Sequence, residues 1–149
     1  MYNVESRGRC KMDTHSSKEE LMKDILRNSS VIAVVGLSND AWKDSHRVAA
    51  YLKEHGYRII PVNPAADEIL GEKSYPDLKS IPDKVDVVDV FRRPEHLPEI
   101  ADQAISIGAK VLWMQSGIKN EEAAEKAENA GLTVIQDECM MARHSGLMK

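Results

Sequence analysis

Two residue groups in this chain are suited to holding an anion: the triplet Phe91-Arg92-Arg93, and the loop that opens at Gly36 after an apolar run. A guanidinium grips phosphate through a planar fork of donors, and a neighbouring ring offers a flat apolar surface. Arginines placed ahead of a helix oppose its dipole, so Arg92 and Arg93 need a reason other than helix stability. Gly36 is followed by Ser38, Asn39, Asp40 and Lys43, then by Val48, Leu52 and His55 at helical spacing, with Asp44 or Ser45 available as N-cap. A strand that passes through a polar loop into a helix presents free N–H groups and the positive dipole end to the loop. Gly36 carries no Cβ to block a ligand there. The loop lacks the three spaced glycines of a dinucleotide site. The next apolar run ends in Asn63-Pro64, where an NAD-binding unit would present an acid to the ribose 2′-hydroxyl. Both features count against NAD.

The elements that position these groups follow from periodicity. Val31–Val35 is short, unbroken and β-branched, as strands covered on both faces are. Residues 57–62, 85–90, 110–114 and 132–136 repeat the pattern. Helices are expected over 45–55 closed by Gly56, over 95–107 closed by Gly108, and over 120–130 with Asn120 as cap. A first helix capped by Ser16 or Ser17 runs to Asn28, with Glu19 and Glu20 in its first turn and Leu21, Met22, Ile25 and Leu26 on one stripe. A last one, capped by Asp137, covers residues 138–144. Pro61 can donate no ladder bond and belongs at its strand's end. Residues 65–84, broken by Gly71, Pro76 and Pro82, read as loop with one short turn around 77–80. Strands alternating with helices specify an α/β fold: a Rossmann-like, doubly wound, parallel five-stranded sheet flanked by helices, in one domain spanning 16–149. Residues 1–15 lack periodicity and are expected to be a disordered leader. Ligands in such sheets bind at the carboxyl ends of the strands, which nominates the loops at 36–43, 63–66, 91–94, 115–118 and from 137 onward.

Composition narrows the function. A net charge of -4 makes non-specific nucleic-acid binding an unsuitable main task, so an anion must be held by a local site. Cys10 and Cys139 form no CxxC pair, which suggests neither a disulfide framework nor a metal site and fits a reducing cytoplasm. The run Val31–Val35 is far below the roughly 20 residues of a membrane span.

The segments GLSNDAWKDSHRVAAYL, YRIIPVNP, GEKSYPDL, DVVDVFRRPEHLPEI, VLWMQSGI and CMMARH together resemble the small stand-alone CoA-binding proteins. These are similar to the N-terminal CoA-binding module of the succinyl-CoA synthetase α subunit. The resemblance covers roughly residues 18–146. It implies that Gly36, Leu37, Ser38 and the helix start at Ser45 take the phosphate and pantetheine end of coenzyme A. It implies that Asn63 and Pro64 lie along the ligand, that Phe91, Arg92 and Arg93 flank the adenosine part, and that Gln115, Ser116 and Gly117 close the opposite wall. Coenzyme A adds a ribose 3′-phosphate to a pyrophosphate, and Lys43, Arg47, Lys73 and the arginine pair are the cations available for it.

Two departures matter. The synthetase module carries a lysine soon after the proline that ends its second strand, whereas Pro64 is followed by Ala65, Ala66 and Asp67. The synthetase also keeps its phosphorylated histidine in a second domain for which this chain has no residues, so no ligase chemistry is expected of the chain alone. No acid, base and nucleophile form a set. His46 reads as a helix-surface residue, Cys139 as a buried inert thiol, and Met140 and Met141 as core. Trp113 and Tyr75 fit either a pocket or the core. Asp86 and Asp89 fall inside a strand, which disfavours a phospho-acceptor role. The expectation is a binding or regulatory module for coenzyme A or an acyl-CoA, with no nucleic acid or membrane as partner. The alternative is an NAD(P)-binding redox protein, in which Arg92 and Arg93 would accept a 2′-phosphate.

Overall fold

The structure is a computed structural model that describes residues 14–148. Five parallel strands, β1 (Val31–Val35), β2 (Arg58–Val62), β3 (Val87–Val90), β4 (Val111–Met114) and β5 (Thr133–Ile135), form one sheet. Its order is β2-β1-β3-β4-β5, with Val34 beside both Pro61 and Asp89, and Asp89 beside Trp113. The helices are α1 (Thr14–Asn28), α2 (Asp44–Glu54), α3 (Leu97–Ser106), α4 (Glu121–Asn129) and α5 (Met140–Leu147). Alternate residues of each strand feed two cores. Ala33, Val35, Val88, Val90 and Leu112 meet the apolar faces of α3 and α4. Ile32, Val34, Val87, Trp113 and Ile135 meet α1, α2 and α5. This is the expected doubly wound sheet. No helix among the described residues is long and apolar enough to cross a membrane.

Several local expectations shift. The part of the expected leader at residues 1–13 lies outside the described residues, while Thr14 and His15 already belong to α1. Ser16 and Ser17 are therefore inside the helix, not its cap, and the first turn holds no acid, so Glu19 and Glu20 sit beyond it. Pro61 lies inside β2 and not at its end. β2 is an edge strand, and the carbonyl of Pro61 accepts from Tyr75 N–H at 3.0 Å on the outer side. The missing N–H therefore faces away from β1, where the ladder does not need it. Within the expected loop at 65–84, Glu68–Ile69 and Glu72–Lys73 pair as a small antiparallel hairpin. Leu70 and Gly71 turn it with φ of 57° and 75°, the geometry of a primed hairpin turn. The short 3-10 turn Leu78–Ser80 stands where the expected helical turn was placed, capped by Asp77. Asn120 caps α4 as expected, accepting from Ala123 N–H. Asp137 does not cap α5, whose N-cap is Cys139.

Two aspartates on β3 and just before it tie the sheet together in different ways. Asp86 Oδ2 accepts the N–H groups of Ser30 and Val31 at 2.9 Å each, pinning the start of β1 to the start of β3. Burial raises its carboxyl, but the Val31 and Ser30 amides and the Lys110 ammonium outweigh that and hold it below the usual carboxylate value. Asp89 lies wholly inside the sheet's apolar face at 0% exposure. Its Oδ1 accepts from Gln115 Nε2, and its Oδ2 has no partner. Burial pushes it up to about 7, against the pull of the Gln115 bond. Asp86 precedes β3 and Asp89 is the third of its four residues, so neither is the last residue of a strand.

Replacing Asp86 by alanine is expected to cost about 1–3 kcal/mol at neutral pH, because two amides lose their acceptor. Its native pKa is depressed, so urea unfolding should show the gap to wild type closing as pH falls through that lowered value. Asp89 has the opposite sign. Its contribution is full below the unfolded pKa and is lost as pH rises toward about 7. Asp89→Asn should flatten that decline and exceed the wild type's stability above it; an unchanged pH profile would assign the decline to another group.

Candidate functional site

The chain runs from β1 outward to edge strand β2, then crosses back to β3 on β1's other side, so the winding reverses between β1 and β3. At their carboxyl ends the two following loops touch. A Cβ built on Gly36 would lie 2.9 Å from the Phe91 carbonyl oxygen and 3.0 Å from Arg92 Cδ, and Gly36 has φ +88°. The glycine is thus required by loop-to-loop packing and backbone conformation, with no ligand needed to account for it. Backbone bonds from Gly36 N–H to Val62 O and from Phe91 N–H to Val35 O lock the same corner.

The loop between Gly36 and α2 is built by its own polar side chains. Ser45, only 5% exposed, is inside α2 and caps nothing; its hydroxyl accepts Ser38 N–H at 3.0 Å. Ser38 Oγ in turn accepts Asp40 N–H, and Asp40 Oδ1 accepts Trp42 N–H, each at 3.0 Å. Lys43 is the N-cap residue and makes no side-chain cap. Those three amides are spent on shaping the loop.

Three cavities follow the strand ends. Gly36, Ser38, Lys43, Asp44, Ser45 and Phe91 line one of about 360 Å³. Asp44 and Phe91 also border a second, of about 280 Å³, which extends over β4 to Arg47, Gln115, Ser116, Ile118, Cys139 and Met141. A third, of about 260 Å³, lies toward β2 between Val62, Pro64, Arg92 and His96. A wider depression of about 420 Å³ lies apart, beside edge strand β5 and α1. It is remote from the winding reversal.

Most of the nominated residues converge here, in unequal roles. Lys43, Arg92 and Arg93 are exposed and, among the described residues, form no ion pair. Arg47 is paired with Asp44, so part of its charge is already answered. The Leu37 side chain is wholly buried, leaving its backbone facing the loops, and Asn63 Nδ2 donates to the Leu37 carbonyl at 2.9 Å. Asn63 Oδ1 accepts Ala65 N–H, so that carboxamide is committed to joining the first two loops. Gln115 lines the second cavity, but its amide bridges Asp89 and the Met140 N–H. Gly117 donates its N–H to Asp137 Oδ1 at 2.6 Å and borders none of the three cavities. Lys73 is not brought to them either; it sits on the hairpin with Nζ 5.2 Å from the Tyr75 ring centre.

Some cavity residues were read differently from the sequence. Cys139 and Met141 are half-buried, packed against the core as well as lining a cavity wall, whereas Met140 is wholly core as expected. Asp44 and His96 lie outside the nominated loops and carry no motif that marks them as lining. Their helical or loop positions bring them to the rim only once the crossovers are packed. Trp113 resolves to core, at 0% exposure, with Nε1 donating to the Glu138 carbonyl at 2.8 Å.

Comparison with known proteins places the sequence and the sheet in a family. The sequence pattern of the CoA binding domain matches residues 30–145. The Bacillus subtilis (strain 168) protein YneT is 46% identical over 129 residues, covering 87% of this chain and 95% of its own. The alpha subunit of ADP-forming acetate–CoA ligase II from Pyrococcus furiosus is 30% identical over 139 residues, 85% of this chain but 30% of that subunit. A solved protein of Pyrococcus horikoshii OT3 superposes with a TM-score of 0.86 at 44% identity, covering 88% of this chain and 92% of that one. The apo dinucleotide-forming acetyl-coenzyme A synthetase 1 of Ca. Korarchaeum cryptofilum gives 0.67 at 33% identity, covering 74% of this chain and 26% of that one. The chain thus spans less than a third of each of these two larger enzymes. With the pattern matched from residue 30 to 145 and a sheet shared with these proteins, the chain belongs to the CoA-binding domain family.

Proposed function

We propose that this protein binds coenzyme A or an acyl-CoA across the carboxyl ends of β1, β3 and β4, as a binding or regulatory module without catalysis of its own. The observation that carries the reading is the winding reversal itself, where the Gly36 and Phe91 loops meet with Lys43, Arg92 and Arg93 around them, none ion-paired among the described residues. A polyanionic nucleotide needs unpaired cations beside backbone donors, and strand ends at such a reversal are where α/β sheets hold ligands. The second cavity supplies a more apolar wall, from Val48, Phe91, Ile118 and Met141, suited to a neutral pantetheine arm. Ligase chemistry is not part of the proposal, since the ligases it resembles carry most of their length outside the shared region. A reducing cytoplasm suits both the ligand's thiol and Cys139.

Within this reading Lys43, Arg92 and Arg93 are the primary anion contacts, Gly36, Ser38 and Ser45 shape the cradle, and Leu37 and Asn63 brace it. Pro64, Phe91, Arg47, Gln115 and Ser116 are walls. Lys73 and Gly117 drop to peripheral positions.

Calorimetric titration with coenzyme A, acetyl-CoA, NAD and NADP tests the proposal. Saturable heat with either CoA form is expected; none with either, alongside saturable uptake of a nicotinamide cofactor, would reverse it. Replacing Arg92 and Arg93 together by alanine should weaken coenzyme A by about tenfold or more, from the loss of charge-assisted bonds. If the pair reads the 3′-phosphate, dephospho-CoA should lose much less, and equal losses would place the arginines on the pyrophosphate instead.

A further inference from the structure

Two large apolar side chains are left exposed among the described residues: Leu21 at 40% and Trp42 at 91%. An indole almost wholly in water gives up the burial that makes large aromatics useful to a fold, so its place calls for a reason outside the fold. Its loop is not loosely hung. Ser45, buried in α2, holds Ser38; Ser38 holds Asp40; and Asp40 Oδ1 holds the Trp42 N–H, while the Asp40 carbonyl takes Lys43 N–H at 3.0 Å. The tryptophan backbone is therefore fixed relative to the cradle. Lys43, the next residue, lines that cradle, so Trp42 is anchored directly beside it.

We propose that Trp42 is the stacking surface for the adenine of bound coenzyme A. The inference rests on the CoA reading and adds a stacking face for the base to the adenosine contacts that the resemblance assigns to Phe91, Arg92 and Arg93. Coenzyme A has one flat aromatic group, joined through ribose to its phosphates. A phosphate beside Lys43 leaves that base about a nucleotide's length away, at the rim. Every base has a π-face, so a solvent-facing indole holds it without a dedicated pocket. Arg92 and Arg93, exposed on the adjoining loop, supply charge to the phosphates that flank the base.

Fluorescence separates the two tryptophans, because Trp113 is fully buried and hydrogen-bonded while Trp42 emits from water. Coenzyme A and adenosine 3′,5′-bisphosphate are expected to quench and blue-shift the exposed component, and pantetheine to leave it unchanged. In calorimetry Trp42→Ala should weaken coenzyme A about tenfold, with Trp42→Phe retaining most of the affinity. Pantetheine binding should not respond to either change. An unaltered affinity for coenzyme A in Trp42→Ala overturns the proposal and leaves the indole to a protein surface. Absence of any coenzyme A heat from the wild-type chain overturns the CoA reading itself, and this proposal with it.

Discussion

The contact between the Gly36 loop and the Phe91 carbonyl is the constraint on which the site depends. Two neighbouring parallel strands must end level and turn apart, and at the point of parting there is no room for a side chain. Glycine at φ +88° resolves both demands. Because the chain leaves β1 toward β2 and returns to β3, this same corner is where the sheet's winding reverses, so the steric closure and the ligand crevice coincide. Arg92 is drawn over Gly36 by that packing, which puts a guanidinium at the crevice as a consequence of how the backbone fits.

Rigidity around the crevice comes from polar side chains acting on backbone groups. Ser45, Ser38 and Asp40 hold the first loop, Asn63 ties it to the second, and Gln115 joins β3 to the start of α5 through Asp89. The cost is that several donors nominated for a ligand are committed to the scaffold. The side chains left exposed beside this corner are Lys43, Arg92, Arg93 and the indole of Trp42. A fixed floor is thereby separated from an exposed rim, an arrangement that fits the proposed binding of coenzyme A.

Most of the fold is legible in the chain, because strands covered on both faces must be apolar throughout and helices between them must repeat at 3.6 residues. Val31–Val35 and the alanines of α4 admit few other readings. The hairpin at Glu68 to Lys73 escapes, since Leu70-Gly71 is not a turn dipeptide that local propensity favours and its pairing is only two residues long. Pro61 inside β2 escapes too. Its tolerance depends on which side of an edge strand its nitrogen faces, a fact of sheet order and not of sequence.

For the site, residue types and their order supply the cast: a glycine after an apolar run, an aromatic–arginine–arginine triplet, and no acid after the second strand. Residue type and spacing suffice for that because each loop is local. What each of them holds is set by packing in the folded sheet. Ser45, expected as a helix cap, anchors Ser38 instead, and the Asn63 carboxamide braces the Leu37 carbonyl. Packing also brings Cys139 and Met141 to a cavity wall and leaves Lys73 away from the crevice. The reason is that a side chain's task depends on which partner reaches it first. Those partners, Leu37 for Asn63, Asp89 for Gln115 and Phe91 for Gly36, lie 26, 26 and 55 residues away in sequence and adjacent only in the folded sheet.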